Sequence, residues 1–430
     1  MPAAYTPNER RILIFASVGH FITHFFELIY PTLAVALAAD TGIGLDRVLG
    51  WSAVAYLLFG LGALPAGYLA DRFGSRSVLL ASLAGTGLAA LAAGVSSPGP
   101  PLALALAALG LAGSLHHPAG MSLISRGIRA RGRALGVNGV AGGLGVALTP
   151  FCTATLTALV GWRGTYLVTG VVVLAATLFF RRLSLSEPMG DHGDVVSVHA
   201  DGSRTILFPL LCLATMLAGI SYRGNTIAQP AYFAARVSML GYGTVTTLVY
   251  LIGVAGQYAG GRLADRHDLR YLYLGAHAAS LPALLLMAWL TELPLVGAAS
   301  MFVLFSLGMQ PIENSLFARF TPPRLRGTGY GIKFALTFGV GALGVRLAQA
   351  AEASGDLSLA FLWLGGVVGL TVVTITLFIA ASGSAAIRNR VPRPDDGGVD
   401  GGTNNDDARS LNGSLADQGS GPGLDSCDRR

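Results

Sequence analysis

The feature that most constrains this chain is that it carries its plan twice. Residues 67–76 read GYLADRFGSR and residues 261–270 read GRLADRHDLR, each placed between two long apolar runs. The correspondence continues downstream. His117, Pro118, Ser122, Leu123, Arg126, Arg131, Arg133 and Gly136 recur at nearly the same offset as Gln310, Pro311, Ser315, Leu316, Arg319, Arg324, Arg326 and Gly329. A repeat of this length implies two halves of one design, neither of which need bury its apolar surface alone.

Composition decides where such a design can exist. Hydrophobic residues make up 52% and charged residues 12%, with a mean hydropathy of +0.59. A soluble domain carries roughly 25% charge, about twice this share, and the apolar runs reach the roughly 20 residues that cross a bilayer. The expected fold is therefore an all-α integral membrane protein of twelve transmembrane helices in two pseudo-symmetric six-helix bundles. The spans fall near 12–38, 48–70, 77–97, 102–125, 134–159, 162–180, 205–233, 242–263, 271–291, 294–317, 327–350 and 357–381. The first apolar run is too long for a cleavable signal peptide and reads as part of the bundle.

Four stretches follow from these spans: a six-helix bundle over 1–182, a polar link over 183–204, a second bundle over 205–385 and a tail over 386–430 rich in Gly, Asp, Asn and Ser. The tail is too polar to bury a core of its own. Arginines collect at Arg10 and Arg11, Arg72 and Arg76, Arg126 to Arg133, Arg181 and Arg182, Arg262 to Arg270, Arg319 to Arg326 and Arg388 to Arg393, all on one side. The positive-inside rule then puts both termini in the cytoplasm, and the expected location is the prokaryotic cell (inner) membrane. Because the arginines flank spans and form no continuous patch, the basic balance calls for membrane lipid and not for nucleic acid. Cys152 and Cys212 lie in apolar runs and Cys427 in the tail, which supports neither a disulfide framework nor a thiolate metal site.

The two ten-residue repeats resemble the gate loops of the major facilitator superfamily, and the resemblance extends to about residue 385. It implies secondary transport by alternating access. It also implies that Asp71, taken as the start of the third span, joins a charge network with neighbouring arginines that closes the cytoplasmic side. Gly67, Arg72, Arg76 and Arg126 belong to that gate, with Asp265 and Arg266 in the second copy, where His267 and Asp268 replace small turn residues. A carboxylate at a helix N-terminus is favoured by the helix dipole. The drug/proton antiporter pattern is incomplete: Leu106 stands where an arginine precedes the fourth-span proline, and Thr149-Pro150 ends the glycine-rich fifth span. His117-Pro118 and the run from Gly19 to Pro31 look more like the fosmidomycin-resistance-like branch.

Ionisable groups inside a bilayer cost about 2.5–3.5 kcal/mol each and normally face a cavity or a partner. His20, His24 and Glu27 recur at helical spacing and share one face of the first span. The fourth span offers His116 and His117; the seventh Tyr222, Arg223, Asn225 and Gln229; the tenth Gln310, Glu313 and Asn314; the eleventh Lys333, the only lysine in the chain. In the family the chain resembles, spans 1, 4, 7 and 10 line the cavity. These residues are expected to bind substrate or protons, since histidine titrates near physiological pH. Lys333 is expected to meet Glu313, Asp71 or an anionic substrate, and His277 to be a packing residue.

The leading expectation is a proton-coupled carrier of a small molecule. A carrier of a divalent transition metal such as iron is the alternative, with His20, His24 and Glu27 as ligands; a membrane sensor without transport would share the fold. No nucleophile elbow, zinc-protease motif or phosphate loop appears, so neither an enzyme nor a cofactor is expected.

Overall fold

The computed structural model describes residues 5–187, 204–320 and 331–383. All of them belong to one unit, Met1–Asn389; the second unit, Arg390–Arg430, lies outside the described residues, as do the expected tail and most of the link. Helices account for the ordered elements, and no strand occurs among the described residues.

Helix α1 (Pro7–Thr41) outruns its expected span at both ends because its caps lie outside the apolar run. Thr6 and Glu9 form a capping box, Thr6 N donating to Glu9 Oε2 at 2.8 Å and Glu9 N to Thr6 Oγ1 at 3.2 Å. Gly42, at φ +69°, ends the helix in the left-handed region. The second expected span is three short helices, α2 (Leu45–Gly50), α3 (Ala53–Leu61) and α4 (Ala63–Phe73), bent by 46° at Gly62. Next come α5 (Ser75–Val95), α6 (Pro100–Ser114), α7 (His116–Gly127) and α8 (Arg131–Arg182), the last of which turns at Gly161, φ +71°, and so supplies both the fifth and sixth expected spans.

Beyond the link follow α9 (Arg204–Arg236), α10 (Tyr242–Ala264), α11 (Leu269–Met287), α12 (Glu292–Gly308), α13 (Gln310–Phe320), α14 (Gly331–Ala353) and α15 (Ser358–Ala381). The breaks α6/α7 and α12/α13 are repeats of each other. Pro118 sits in the first turn after one and Pro311 in the first turn after the other, where a missing N–H leaves no ladder bond to lose. Among the described residues eight helices are long and apolar enough to cross a membrane, nine with the bent pair, while α10 and α11 fall short of that apolarity.

Burial runs opposite to that of a soluble protein. Leu104, Val95 and Leu159 are at least 73% exposed, whereas Glu27, Arg223, Glu313 and Lys333 are buried. Apolar surface this extensive belongs against lipid. Helices before and after the link meet where α8 touches α10, α2 and α3 touch α14, and α1 touches α9. Two crossings depend on glycine: a Cβ on Gly60 would collide with the backbone of Gly339, and one on Gly243 would lie 2.5 Å from Ala154.

Candidate functional site

The polar face of α1 is the starting point. His20, His24 and Glu27 project along one side of the helix and form a chain of contacts: His24 Nδ1 lies 2.6 Å from Glu27 Oε2, and His24 Nε2 lies 3.1 Å from His20 Nε2. At the far end of the chain, His20 Nδ1 is 2.7 Å from the carbonyl of Asn138 on α8. Close approach of α8 is possible because Gly142 has no side chain; a Cβ there would lie 2.5 Å from the His20 ring. The glycine-rich stretch of α8 is thus a packing surface.

Glu27 has a second partner from across the molecule. Arg223 Nη2 on α9 donates to Glu27 Oε1 at 2.5 Å, and both side chains are 1% exposed. The guanidinium sits 3.9 Å from the centre of the Tyr56 ring, while Tyr56 Oη donates to the Glu27 carbonyl at 2.7 Å. Two charges taken this far from water persist only when geometry and hydrogen bonds offset their desolvation. Arg223 Nε and Nη1 have no hydrogen-bond partner among the described residues.

A cavity of about 510 Å³ extends from His20 and His24 to Asp265, an exposed residue just after α10. His116, His117, Tyr222, Gln310, Glu313, Asn314 and Lys333 line it, as expected from sequence. Lys333 Nζ is 3.0 Å from Glu313 Oε1 and also donates to Asn314; Tyr273 Oη donates to Glu313 Oε2 at 2.7 Å. Of the three partners open to Lys333, the structure selects Glu313. A π-helical turn over Ala335–Gly339 interrupts α14 just beyond Lys333, and Phe334 and Phe338 stack on His117 at 5.1 and 5.8 Å. Such turns recur at functional sites.

Three expectations change. Asn225 and Gln229 do not line the cavity; they are fully buried and pair with each other at 3.2 Å, one helical turn apart. Glu27 does not share an open ligand position with the two histidines, because Arg223 and His24 occupy its two oxygens. Asp71 is not at a helix N-terminus but in the last turn of α4, since Gly74, at φ +83°, separates α4 from α5.

The residue on the α5 N-terminus is Glu187, from the start of the link. Its oxygens accept from Ser75 N at 2.9 Å and Arg76 N at 3.0 Å. Arg126 lies 3.6 Å from Asp71 and 3.7 Å from Glu187 and donates to Ser75 Oγ at 2.8 Å. Arg72 instead donates to Tyr68 Oη, and Arg76 to the carbonyls of Arg181 and Leu183. Nothing crowds Gly67. In the second copy Asp268 caps α11 through Arg270 N and holds the Arg270 guanidinium at 2.7 Å, while Asp265 and Arg266 are exposed.

Sequence reasoning passed over Asn138, Tyr56, Tyr273, Gln257 and Glu187. Gln257, which donates to Gln310 at 2.9 Å, was detectable as a lone amide in an apolar run. Tyrosines carry no comparable signal. His277 packs as expected, 4.9 Å from the Tyr273 ring.

The model of the Major Facilitator Superfamily matches residues 15–196 and 211–405, nearly all of the helical chain. The chain belongs to the Major Facilitator Superfamily. It is an integral membrane protein of a family of transporters. This superfamily member is 35% identical to puromycin resistance protein pur8 of Streptomyces alboniger over 34% of its own length and 29% of that protein's. It is 33% identical to the 4-hydroxybenzoate transporter PcaK of Pseudomonas aeruginosa over 41% of its own length and 40% of that protein's. These matches therefore span well under half of either relative. A bacterial homolog of the human lysosomal transporter Spinster, solved in an inward-facing and occupied conformation, shares the fold with a TM-score of 0.68 at 14% identity, covering 88% of this chain and 97% of that one.

Proposed function

We propose that this superfamily member is a secondary active transporter that moves a small solute across a prokaryotic cell membrane by alternating access, coupled to protons. The observation that carries the reading is the Glu27–Arg223 pair, which joins α1 to α9 beside a cavity of about 510 Å³. The pair links the six-helix bundle before the link to the one after it, so a rocking motion of one against the other must stretch or exchange that contact. Intramembrane carboxylates that gain and lose partners in this way are suited to carry protons.

In this reading the solute occupies the cavity between the histidines of α1 and α7 and the Glu313–Lys333 pair. Lys333, in the cavity lining, favours a solute bearing an anionic group, a class that includes the 4-hydroxybenzoate named for one relative. Both termini lie in the cytoplasm, and the charged turn holding Asp71, Arg126 and Glu187 works as the cytoplasmic gate.

Reconstitution into proteoliposomes with an imposed pH gradient and a panel of organic acids, amines and sugars tests the proposal. Glu27→Gln should abolish gradient-driven accumulation yet retain solute exchange, since the amide keeps the shape but carries no exchangeable charge. Accumulation at the wild-type rate by Glu27→Gln would remove this carboxylate from the coupling.

A further inference from the structure

The two central histidines face each other in a way that two neutral rings do not tolerate. His20 Nδ1 lies 2.7 Å from the Asn138 carbonyl, which can only accept, so that nitrogen carries the proton; the Asn138 amide nitrogen, 3.1 Å from the same atom, is the longer contact. His24 Nδ1 lies 2.6 Å from Glu27 Oε2, a carboxylate already bound by Arg223, so it too carries the proton. Each ring is then left with a lone pair on Nε2. Those two atoms are 3.1 Å apart. Two lone pairs at that distance repel unless a proton or a metal cation stands between them.

A third imidazole completes the arrangement. His117, on α7, is 8% exposed, its ring centre is 5.1 Å from those of both His20 and His24, and its Nε2 has no partner among the described residues. The nitrogens that His20, His24 and His117 offer all lie within 4.8 Å of one another. Two imidazole nitrogens on one tetrahedral zinc are roughly 3.3 Å apart, given Zn–N bonds of about 2.0–2.1 Å. The His20–His24 pair already has that spacing, and a modest swing of the His117 ring brings in the third ligand.

We infer that His20, His24 and His117 form a binding site for a divalent transition-metal cation, with the fourth position open to the cavity. Glu27 acts from behind. It fixes the His24 tautomer and the orientation of the ring, as carboxylates behind metal-bound histidines do. The ligand set differs from the one read in the sequence, where Glu27 stood in place of His117. Three neutral imidazoles suit zinc, copper, nickel or iron better than magnesium or calcium, which take oxygen ligands. Lys333, the nearest cation on α14, is paired with Glu313 and so offers less opposition to a metal charge. The site stands independently of the coupling assigned to Glu27, because it is defined by binding at equilibrium.

The full-length protein, purified in detergent without a polyhistidine tag and stripped with EDTA, is titrated with Co²⁺. One Co²⁺ per chain with the visible absorption of a tetrahedral site, displaced by Zn²⁺, is expected. His24→Ala and His117→Ala should each weaken binding at least about 10-fold, whereas His277→Ala, a buried histidine outside the cluster, should leave it unchanged. X-ray absorption on the wild-type zinc complex needs no variant and should count three imidazoles. Absence of saturable one-to-one binding, or a wild-type complex with fewer than three imidazoles, overturns the site. Solute transport with no metal affinity defeats this inference alone; metal affinity without solute transport defeats the proposed function alone.

Discussion

Glu27 and Glu313 are two buried carboxylates with opposite dependences on the rest of the molecule. Glu27 is neutralised by Arg223, 196 residues away, so its partner comes from beyond the link. Glu313 is held by Lys333 and by Tyr273, 40 residues away, and all three lie after the link. The Glu313 group also lines the large cavity, whereas Glu27 borders a separate pocket beside Tyr56 and Arg223 borders neither. In the proposed alternating-access cycle, relative motion of the two halves would leave Glu313 paired and decide whether Glu27 is paired. One carboxylate is paired across the link; the other is paired within its own half.

Arg223→Leu is the largest test of this contrast. It strands a carboxylate with a single imidazole partner in a water-poor site, and removing one member of a buried pair costs about 3–5 kcal/mol. Thermal melting in detergent should fall steeply, and Arg223→Lys should recover only part, since an ammonium cannot reproduce the guanidinium's planar contact over Tyr56. Melting at the wild-type temperature would mean that Glu27 is not held by Arg223 at all.

Lys333→Met comes next. Glu313 keeps the Tyr273 hydroxyl and gains access to cavity water, so the cost should be nearer 1–3 kcal/mol, the range for leaving a polar group short of a partner. A loss equal to that of Arg223→Leu would erase the distinction between the two carboxylates.

The smallest effects belong to the charged turn that holds Asp71 and Arg126, and they separate stability from transport. Glu187→Gln weakens the cap on α5 and should cost about 1 kcal/mol or less, read as faster hydrogen exchange at Ser75 and Arg76. Asp71→Asn removes an ion pair at 3.6 Å whose carboxylate is 74% exposed, worth less than about 0.5 kcal/mol. If Asp71 tunes the balance of states, transport should fall while melting stays put. Unchanged transport in Asp71→Asn would leave Glu187 as the acidic residue that matters at this turn.

The contrast between the two copies of that turn also shows how much the repeat conveyed. In the second copy Asp268 caps its own helix and clamps Arg270, which reaches the carbonyl of Gly383 at 2.7 Å. In the first copy the equivalent position is Gly74, and a carboxylate from the link supplies the cap. Matching sequence located both turns. It did not say which acid would fill each helix end, because a glycine in one and an aspartate in the other changes where the chain can turn and what is left unsatisfied.

The sequence by itself determined the membrane, the duplication, the helical character and the set of polar residues with no business in lipid. Those follow from composition and from a period of 3.6, both local properties of the chain. It determined that Lys333 needed an acid or an anionic substrate, since a lone lysine in an apolar run is too costly unpaired. Only the tertiary structure decided that the acid is Glu313, that Arg223 crosses to Glu27, that Asn225 and Gln229 turn to each other and that His117 joins His20 and His24. Partner choice is a matter of distance between helices far apart in sequence, set by glycine crossings such as Gly142 against His20 and Gly60 against Gly339, and no periodicity along one helix records how closely another will approach it.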